Sequence, residues 1–401
     1  MSLADAVLDR AGCDPIAKLP AHVVMLTNFI PPYRLPVYTE LARRVEKLTI
    51  LLSTPMEPNR CWRAEWGELD VRLQRTFTLK RRWRHTTGFS DTLHVHVPVD
   101  TLSQLRALRP DVVLSAELGF RSLFGGIYSR YLRHTPLVLW LTLSDHTEQN
   151  RGRLRQALRH WLLRRVDSVV VNGASGSRYV ERFGLDRERI FRVPYTALPG
   201  LFDQLPSTRP ASSAHRLLYV GQLIERKGLA PFIEALAAWA AAHRDRTVDF
   251  DIVGSGPLRD SLQAIAVPAN LSLNFLGERD YSVLAETYAS SGIFAFPTLA
   301  DEWGLVVNEA LSAGLPVLGS VYSQAVEELL RDDENGWTYR PDSQSETIDA
   351  IDRAFSVPAE RLDAMRAAAR ASVEQLTPEY AIQRLIPAVA SALENRRGNS
   401  A

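Results

Sequence analysis

Only two cysteines, Cys13 and Cys61, occur in 401 residues, which excludes a disulfide framework or a thiolate-bound structural zinc and suits a reducing compartment. Long apolar runs are missing as well. The longest, residues 136–143, is strand length, well short of the roughly 18 residues that read as a membrane-spanning helix. The first 20 residues are broken up by Asp5, Asp9, Arg10, Asp14 and Lys18, so no signal peptide is expected and a cytoplasmic location is. No His, Cys, Asp or Glu cluster has metal-ligand spacing, so neither a metal nor another cofactor is expected. Asp249-Phe250-Asp251 has the outline of an Asp-x-Asp metal motif, but it sits inside an alternating strand rather than in the loop after one. Gly254-Ser255-Gly256-Pro257 lacks the third glycine of a dinucleotide fingerprint. What remains, at 46% hydrophobic and 23% charged, is a globular composition.

The charge is unevenly shared. Residues 1–200 carry a net +11 and residues 201–401 a net −10, beneath an overall +1. Such a split points to two bodies with different partners and sets the basic one against something anionic. A membrane surface is the anionic partner expected; nucleic acid is not. The positive residues gather at Lys80, Arg81, Arg82 and Arg84, and again at Arg151, Arg153, Arg155, Arg159, Arg164 and Arg165. Leu154, Leu158, Trp161, Leu162 and Leu163 recur at helical spacing through the second cluster. That segment reads as a helix with an apolar face and cationic flanks, suited to a core or to a lipid surface.

Apolar strands alternate with amphipathic helices along the chain. Strands are expected at residues 22–27, 48–53, 111–115, 136–143 and 168–175, with helices at 36–44, 102–108, across the arginine-rich segment and at 177–183. Residues 197–215, rich in Pro, Ser and Ala and without period, read as an interdomain linker. Beyond it the pattern restarts, with strands at 216–223, 248–254, 271–277, 292–297 and 316–320 and helices at 230–242, 258–266, 282–290 and 305–313. This alternation implies an α/β fold with parallel sheets covered on both faces. It divides into residues 1–200, residues 201–377 and a C-terminal helical stretch, 378–401, that either closes the second body or crosses to the first. Ligands in such sheets bind beyond the carboxyl ends of the strands, so the loops near Val220, Gly254, Gly277 and Pro297 should line one site.

Residues 296–310 carry the densest chemistry. A strand ends at Pro297, Asp301 and Glu302 stand in the loop, Gly304 permits close backbone approach, and a helix begins with its free amides. An anion-binding helix start with carboxylates beside it suits a nucleotide-sugar, the amides taking phosphate while Asp301 and Glu309 accept hydrogen bonds from hydroxyls. In purely structural terms Asp301 would cap the helix and Glu309 would be solvated. In Gly221-Gln222-Leu223-Ile224-Glu225-Arg226-Lys227-Gly228, a strand end runs into a glycine-flanked loop whose Lys227 and Arg226 can neutralise a departing diphosphate; a solvated Lys-Gly turn is the plainer alternative. His146 follows the strand at 136–143, at the carboxyl end where ligands bind. Asn28 to Arg34 fills the equivalent loop after the first strand, where prolines stiffen the chain and Tyr33 and Arg34 are placed to reach an acceptor.

In this order, Gly221 to Gly228, Val253 to Pro257 and Asp301 to Glu309 resemble the Gly-Arg-Leu-x-x-x-Lys-Gly loop, the Val-Gly-x-Gly-Pro turn and the Glu-x7-Glu motif of the retaining glycosyltransferases of family 4. The resemblance covers residues 216–340 and, more loosely, the first half. It implies the GT-B fold: two facing Rossmann-like domains with a cleft between them, the first binding an acceptor and the second a nucleotide-sugar. It implies that Lys227 contacts the donor diphosphate, the first acid the donor sugar and Glu309 the ribose, while amides of Gly304, Leu305 and Val306 hold phosphate. Gly221, Gln222, Arg226, Gly254, Gly256, Glu278 and Glu302 would complete the donor site, and His146 would correspond to the family's sugar-contacting histidine. Two positions depart from the pattern. Asp301 stands where the family has Glu, with Glu302 one position late, and Gln222 stands where it has Arg, leaving Arg226 as the substitute cation. The implied activity is metal-free transfer, with retention, of a hexosyl unit to a hydroxyl acceptor. The acceptor would be a glycan or lipid-linked glycan of bacterial exopolysaccharide, capsule or lipopolysaccharide synthesis, met at the inner face of the cytoplasmic membrane. An epimerase or phosphorylase on the same scaffold, or a non-catalytic nucleotide-sugar-binding protein, is the alternative.

Overall fold

A computed structural model describes residues 18–57, 64–198, 200, 202, 205–206 and 208–398. Cys13, Cys61 and the charged residues Asp5, Asp9, Arg10 and Asp14 lie outside the described residues. The chain forms two compact units. The first runs to Trp83, resumes over Thr92–Tyr195 and takes the C-terminal segment from Pro378; the second holds Arg84–Asp91 and Thr196–Thr377.

The first unit contains β1 (Leu19–Thr27), β2 (Val45–Leu52), β3 (Asp70–Leu73), β4 (Thr76–Arg84, its last residue in the second unit), β5 (Ser90–Pro98, likewise begun there), β6 (Val112–Ala116), β7 (Leu137–Leu141), β8 (Ser168–Val171) and β9 (Ile190–Arg192). Seven of these form a parallel sheet in the order β3-β2-β1-β6-β7-β8-β9, while β4 and β5 pair as a separate hairpin. The second unit contains β10 (Arg216–Val220), β11 (Val248–Val253), β12 (Leu271–Gly277), β13 (Ile293–Phe296), β14 (Val317–Ser320) and β15 (Gly336–Tyr339), all parallel in the order β12-β11-β10-β13-β14-β15. Central strands such as Leu137–Leu141 and Ile293–Phe296 are buried at every position, as expected of strands covered by helices on both faces. In each unit the strand order reverses once, between β1 and β6 and between β10 and β13. Such reversals open a crevice at the carboxyl ends of the strands, where α/β sheets bind ligands.

The structure departs from the sequence reading at several elements. Nothing in the sequence marked β3, β4 and β5, because the hairpin is exposed along both faces of β4 and so has no inside-outside alternation to read. Residues 197–215 are not a free linker. Phe202 is buried with its ring 4.9 Å from that of Tyr288, and Arg209 donates to the Ala313 carbonyl at 2.9 Å, so the second unit begins at Thr196 rather than 201. The C-terminal helix, Pro378–Gly398, packs in the first unit, where Ile382, Leu385 and Val389 join Val37, Leu41 and Val193 in one core. Within the arginine-rich helix, Arg153–Leu163, the expected apolar stripe is incomplete: Leu162 and Leu163 are buried but Leu154 is 86% exposed. Arg159 is buried and ion-paired with Glu148, which also takes Arg151, so two of the six cations in that cluster face inward. Among the described residues, no helix is long and apolar enough to cross a membrane.

Candidate functional site

The loops leaving β10 and β13, on either side of the second unit's reversal, hold most of the residues singled out above. They are joined through the backbone: the Arg226 carbonyl accepts from the Leu299 N–H at 2.8 Å and from the Thr298 hydroxyl at 3.2 Å. This places Lys227 beside Asp301, whose carboxylate accepts from the ammonium group. Burial pushes the Asp301 pKa up, but the Lys227 and Arg226 cations and the Trp303 N–H outweigh it and hold the carboxyl below the usual carboxylate range. Burial also lowers the Lys227 pKa, with Asp301 opposing.

Asp301 is held from the far side by the loop after β14. Its N–H donates to the Tyr322 carbonyl at 3.1 Å, the Trp303 carbonyl accepts from the Ala325 N–H at 3.1 Å, and the Gln324 amide donates to the Glu302 carbonyl at 3.0 Å. It does not cap the helix Leu305–Ser312. Gly304 occupies that position in the left-handed region at φ 100°, and a Cβ there would stand 2.7 Å from the Phe296 ring. With no side-chain cap, the first amides, Leu305 and Val306, open a helix start suited to an anion.

Glu309, one turn further on, is buried rather than solvated. It accepts from the Tyr288 hydroxyl at 3.3 Å, and burial pushes its pKa up to about 7 against that hydrogen bond.

Arg226 does not stand free to replace the cation missing at Gln222. Its guanidinium lies 3.2 Å from Glu302 and 3.3 Å from Asp91. Burial works against its charge, but Glu302, Asp301 and Asp91 outweigh it and raise the pKa. Asp91 comes from the tip of the β4–β5 hairpin, residues 84–91, which belongs to the second unit; there the Ser90 N–H donates to Glu225 at 3.2 Å. Gln222 is half-buried and its carbonyl accepts from the Tyr219 hydroxyl at 2.9 Å.

The glycine turn after β11 serves close approach between loops. Gly254 has φ 133°, and a Cβ there would lie 1.9 Å from the Gly221 carbonyl oxygen. The Gly254 N–H donates to Gly277 at 2.8 Å and the Leu223 N–H to Ser255 at 2.8 Å, stitching together the loops after β10, β11 and β12. Gly256 approaches the Leu223 carbonyl in the same way. Exposed Glu278 accepts from the Ser255 hydroxyl. Asp251 of the Asp-x-Asp outline is buried in the sheet, paired with Arg216 at 2.8 Å and accepting from Asn274 at 2.9 Å. Among the described residues no cluster of three or more acidic, histidine or cysteine side chains could hold a metal ion.

His146, Tyr33 and Arg34 belong to the first unit. His146 is half-buried in the loop after β7, between Asp145, paired with Arg182 at 3.1 Å, and Glu148. Tyr33 is half-buried, with its ring 5.8 Å from that of Tyr195. Arg34 is buried, and its guanidinium carbon lies over Tyr195 at 3.8 Å and over Trp140 at 4.7 Å. Sequence reasoning missed Asp91, Tyr288, Trp140 and Tyr195. Each meets its partner across 21 to 161 residues of chain, and no local spacing announces such a meeting.

Two reversing parallel sheets, with a lysine, an acid pair and an open helix start at one reversal, make a ligand-binding α/β fold whose site suits an anion. The family comparisons agree. The model of the "Glycosyl transferases group 1" family matches residues 204–372 and that of the "Glycosyl transferase 4-like domain" residues 30–196. The chain belongs to the GT-B glycosyltransferases of family 4 that carry these two domains. Among curated proteins it is 24% identical to an alpha-D-kanosaminyltransferase of Streptomyces kanamyceticus over 240 residues, 57% of this chain and 60% of the relative. The first curated relatives are matched over about a third to three-fifths of their own length. Among solved structures, the lipopolysaccharide outer core galactosyltransferase WaaB superposes with a TM-score of 0.69 at 13% identity, over 92% of this chain and 99% of WaaB. Anabaena HepE in complex with UDP gives 0.64 at 15% identity, over 95% of this chain and all of HepE. At these identities the two structures show the shared fold.

Proposed function

We propose that the protein transfers a hexosyl unit from a nucleotide-sugar to a hydroxyl acceptor, with retention and without metal. The observation that carries this reading is the Lys227–Asp301 pair beside the uncapped start of the helix Leu305–Ser312, with Glu309 buried one turn beyond. Lys227 and Asp301 take each other, the lysine holding a protein carboxylate where it would hold a diphosphate and Asp301 an ammonium where it would hold sugar hydroxyls. A bound donor replaces that one pairing with two, Lys227 and the Leu305 and Val306 amides on phosphate and Asp301 on the sugar. Glu309 is placed to accept from the ribose hydroxyls. In the reaction the bond from the anomeric carbon to the diphosphate oxygen breaks, the acceptor oxygen bonds to that carbon on the same face, and the acceptor proton passes to the departing diphosphate. The protein supplies orientation and charge stabilisation. Support for the donor class comes from HepE, solved with UDP, and from relatives named for transferring kanosamine and galactose.

His146 and the loop of Tyr33 and Arg34, at the carboxyl ends of β7 and β1, are proposed to face the reacting sugar and the acceptor. The acceptor is proposed to be a lipid-linked glycan of an envelope or exopolysaccharide pathway, reached from the cytoplasmic side by peripheral attachment of the basic half to anionic lipid. Thermal-shift screening against UDP-, GDP- and dTDP-sugars identifies the donor, and turnover of that donor then tests the site. Lys227→Ala and Glu309→Ala should each lower turnover at least a hundredfold, about 2.7 kcal/mol of transition-state stabilisation, in protein that remains folded. Near-normal turnover in both would defeat the assignment.

A further inference from the structure

Five arginines are buried among the described residues, and four of them give their guanidinium to a carboxylate or a carbonyl. Arg121 reaches the Ala116 carbonyl at 3.3 Å and Glu117 at 3.6 Å, Arg159 pairs with Glu148, Arg209 donates to the Ala313 carbonyl at 2.9 Å, and Arg366 donates to Asp363 at 2.6 Å. Arg34, only 7% exposed, has neither kind of partner among the described residues. Its surroundings are aromatic: the guanidinium carbon lies over the rings of Trp140 and Tyr195, the Tyr195 side chain also hydrogen-bonds it, and Tyr33 and Tyr38 stand near. Burial raises the Tyr38 pKa to about 12, so that ring brings no negative charge at neutral pH.

Cation–π contacts hold the guanidinium against the two rings. Apart from the one hydrogen bond to Tyr195 they leave its rim, where five N–H donors lie in one plane, and that rim is what matches the two oxygens of a carboxylate or phosphate. Desolvating a cation without a counter-charge is unfavourable, and ring faces supply only part of the compensation. The position matters as much as the chemistry. Arg34 ends the loop after β1, at the first unit's own reversal point, and is stacked on Trp140 from the carboxyl half of β7. At the other side of that reversal, Glu117 sits just past β6 with φ 64°, a conformation that non-glycine residues adopt seldom and that is concentrated at binding sites.

We propose that Arg34 is the specificity residue for an oxyanion carried by the acceptor, so that the acceptor is an acidic sugar or a phosphate-bearing glycan rather than a neutral one. This rests on the glycosyl-transfer reading above and adds the acceptor's charge to it. The test is equilibrium binding of D-glucose, D-glucuronate and D-glucose 6-phosphate to the full chain, followed by calorimetry or ligand-observed NMR. At least one of the two anionic sugars should bind tenfold or more tightly than glucose, the carboxylate and phosphate arms showing which oxyanion is read. Arg34→Gln should remove that preference, and Arg34→Lys, which keeps the charge but not the planar fork, should recover only part of it. Equal binding of all three sugars by the unaltered protein overturns the proposal even should the variants fail to fold; so does a preference that survives in Arg34→Gln. Nucleotide-sugar thermal shifts read on the same samples keep the two readings apart. A chain that binds a nucleotide-sugar but does not discriminate acidic from neutral sugars loses this inference alone. One that binds no nucleotide-sugar loses the transferase reading while its oxyanion preference is judged separately.

Discussion

Glu309 is a carboxyl group whose protonation is set by burial. Its pKa rises from 4.5 to about 7 because the charged form loses water and regains only the Tyr288 hydroxyl. A raised acid favours the folded state while it stays protonated, so its contribution is full below about pH 4.5 and is lost as pH climbs through about 7, a change of about 3 kcal/mol. Glu309→Gln keeps a neutral side chain at every pH. Urea unfolding should therefore show the native protein losing stability relative to Glu309→Gln between pH 5 and pH 8, and parallel profiles would contradict the burial of this carboxyl. The same titration bears on ligand affinity. In the proposed donor site an ionised Glu309 would accept from both hydroxyls of a ribose, so nucleotide affinity should increase with pH through about 7 and lose that dependence in Glu309→Gln. Lys227, Asp301 and Glu309 stood out in the sequence because their spacing follows a strand end and a helix start. That Lys227 and Asp301 would be each other's partner was not, since 74 residues separate them. For Arg226 the sequence suggested a phosphate ligand, and the carboxylates of Asp91 and Glu302 show a cation already neutralised.

At the scale of elements, the arginine-rich helix separates two roles that its sequence runs together. Arg159 faces inward to Glu148, whereas Arg153, Leu154 and Arg164 face solvent. Breaking this buried pair leaves Glu148 only Arg151, at 3.6 Å, so Arg159→Met should destabilise the fold by about 3 kcal/mol in denaturant titration. Arg153→Glu with Arg164→Glu should leave the fold intact but weaken sedimentation with phosphatidylserine vesicles at low salt, each reversal removing an attraction of about 1 kcal/mol. Unchanged sedimentation would exclude this face from lipid contact. Periodicity identified the helix itself, but not its inward cations, because arginine at a core-facing position looks the same in sequence as arginine at the surface. The β4–β5 hairpin had the opposite problem: with β4 exposed along its length, no buried stripe existed to be read.

For the whole molecule, the C-terminal helix Pro378–Gly398 belongs to the first unit although it follows the second in sequence. It contributes Ile382, Leu385, Ile386, Val389 and Leu393 to that unit's core. At about 1.5–3 kcal/mol for each buried aliphatic side chain, these together rival the 5–15 kcal/mol that holds a typical domain folded. A chain ending at Thr377 should therefore lose the cooperative unfolding transition of the first unit while the second unit's remains, which calorimetry resolves. Two transitions at their original temperatures would refute it.

The alternation of apolar strands with amphipathic helices was enough to determine two parallel α/β bodies, since burial on both faces demands unbroken apolar strands whatever their neighbours. The motifs at strand ends likewise pointed to loops that the structure joins through their backbones. Tertiary structure alone decided which charges meet, which arginine lacks a carboxylate, and which unit the last helix completes. Those outcomes depend on groups far apart in the chain arriving within a few ångströms of each other, and contacts at that range leave no local periodicity in the sequence.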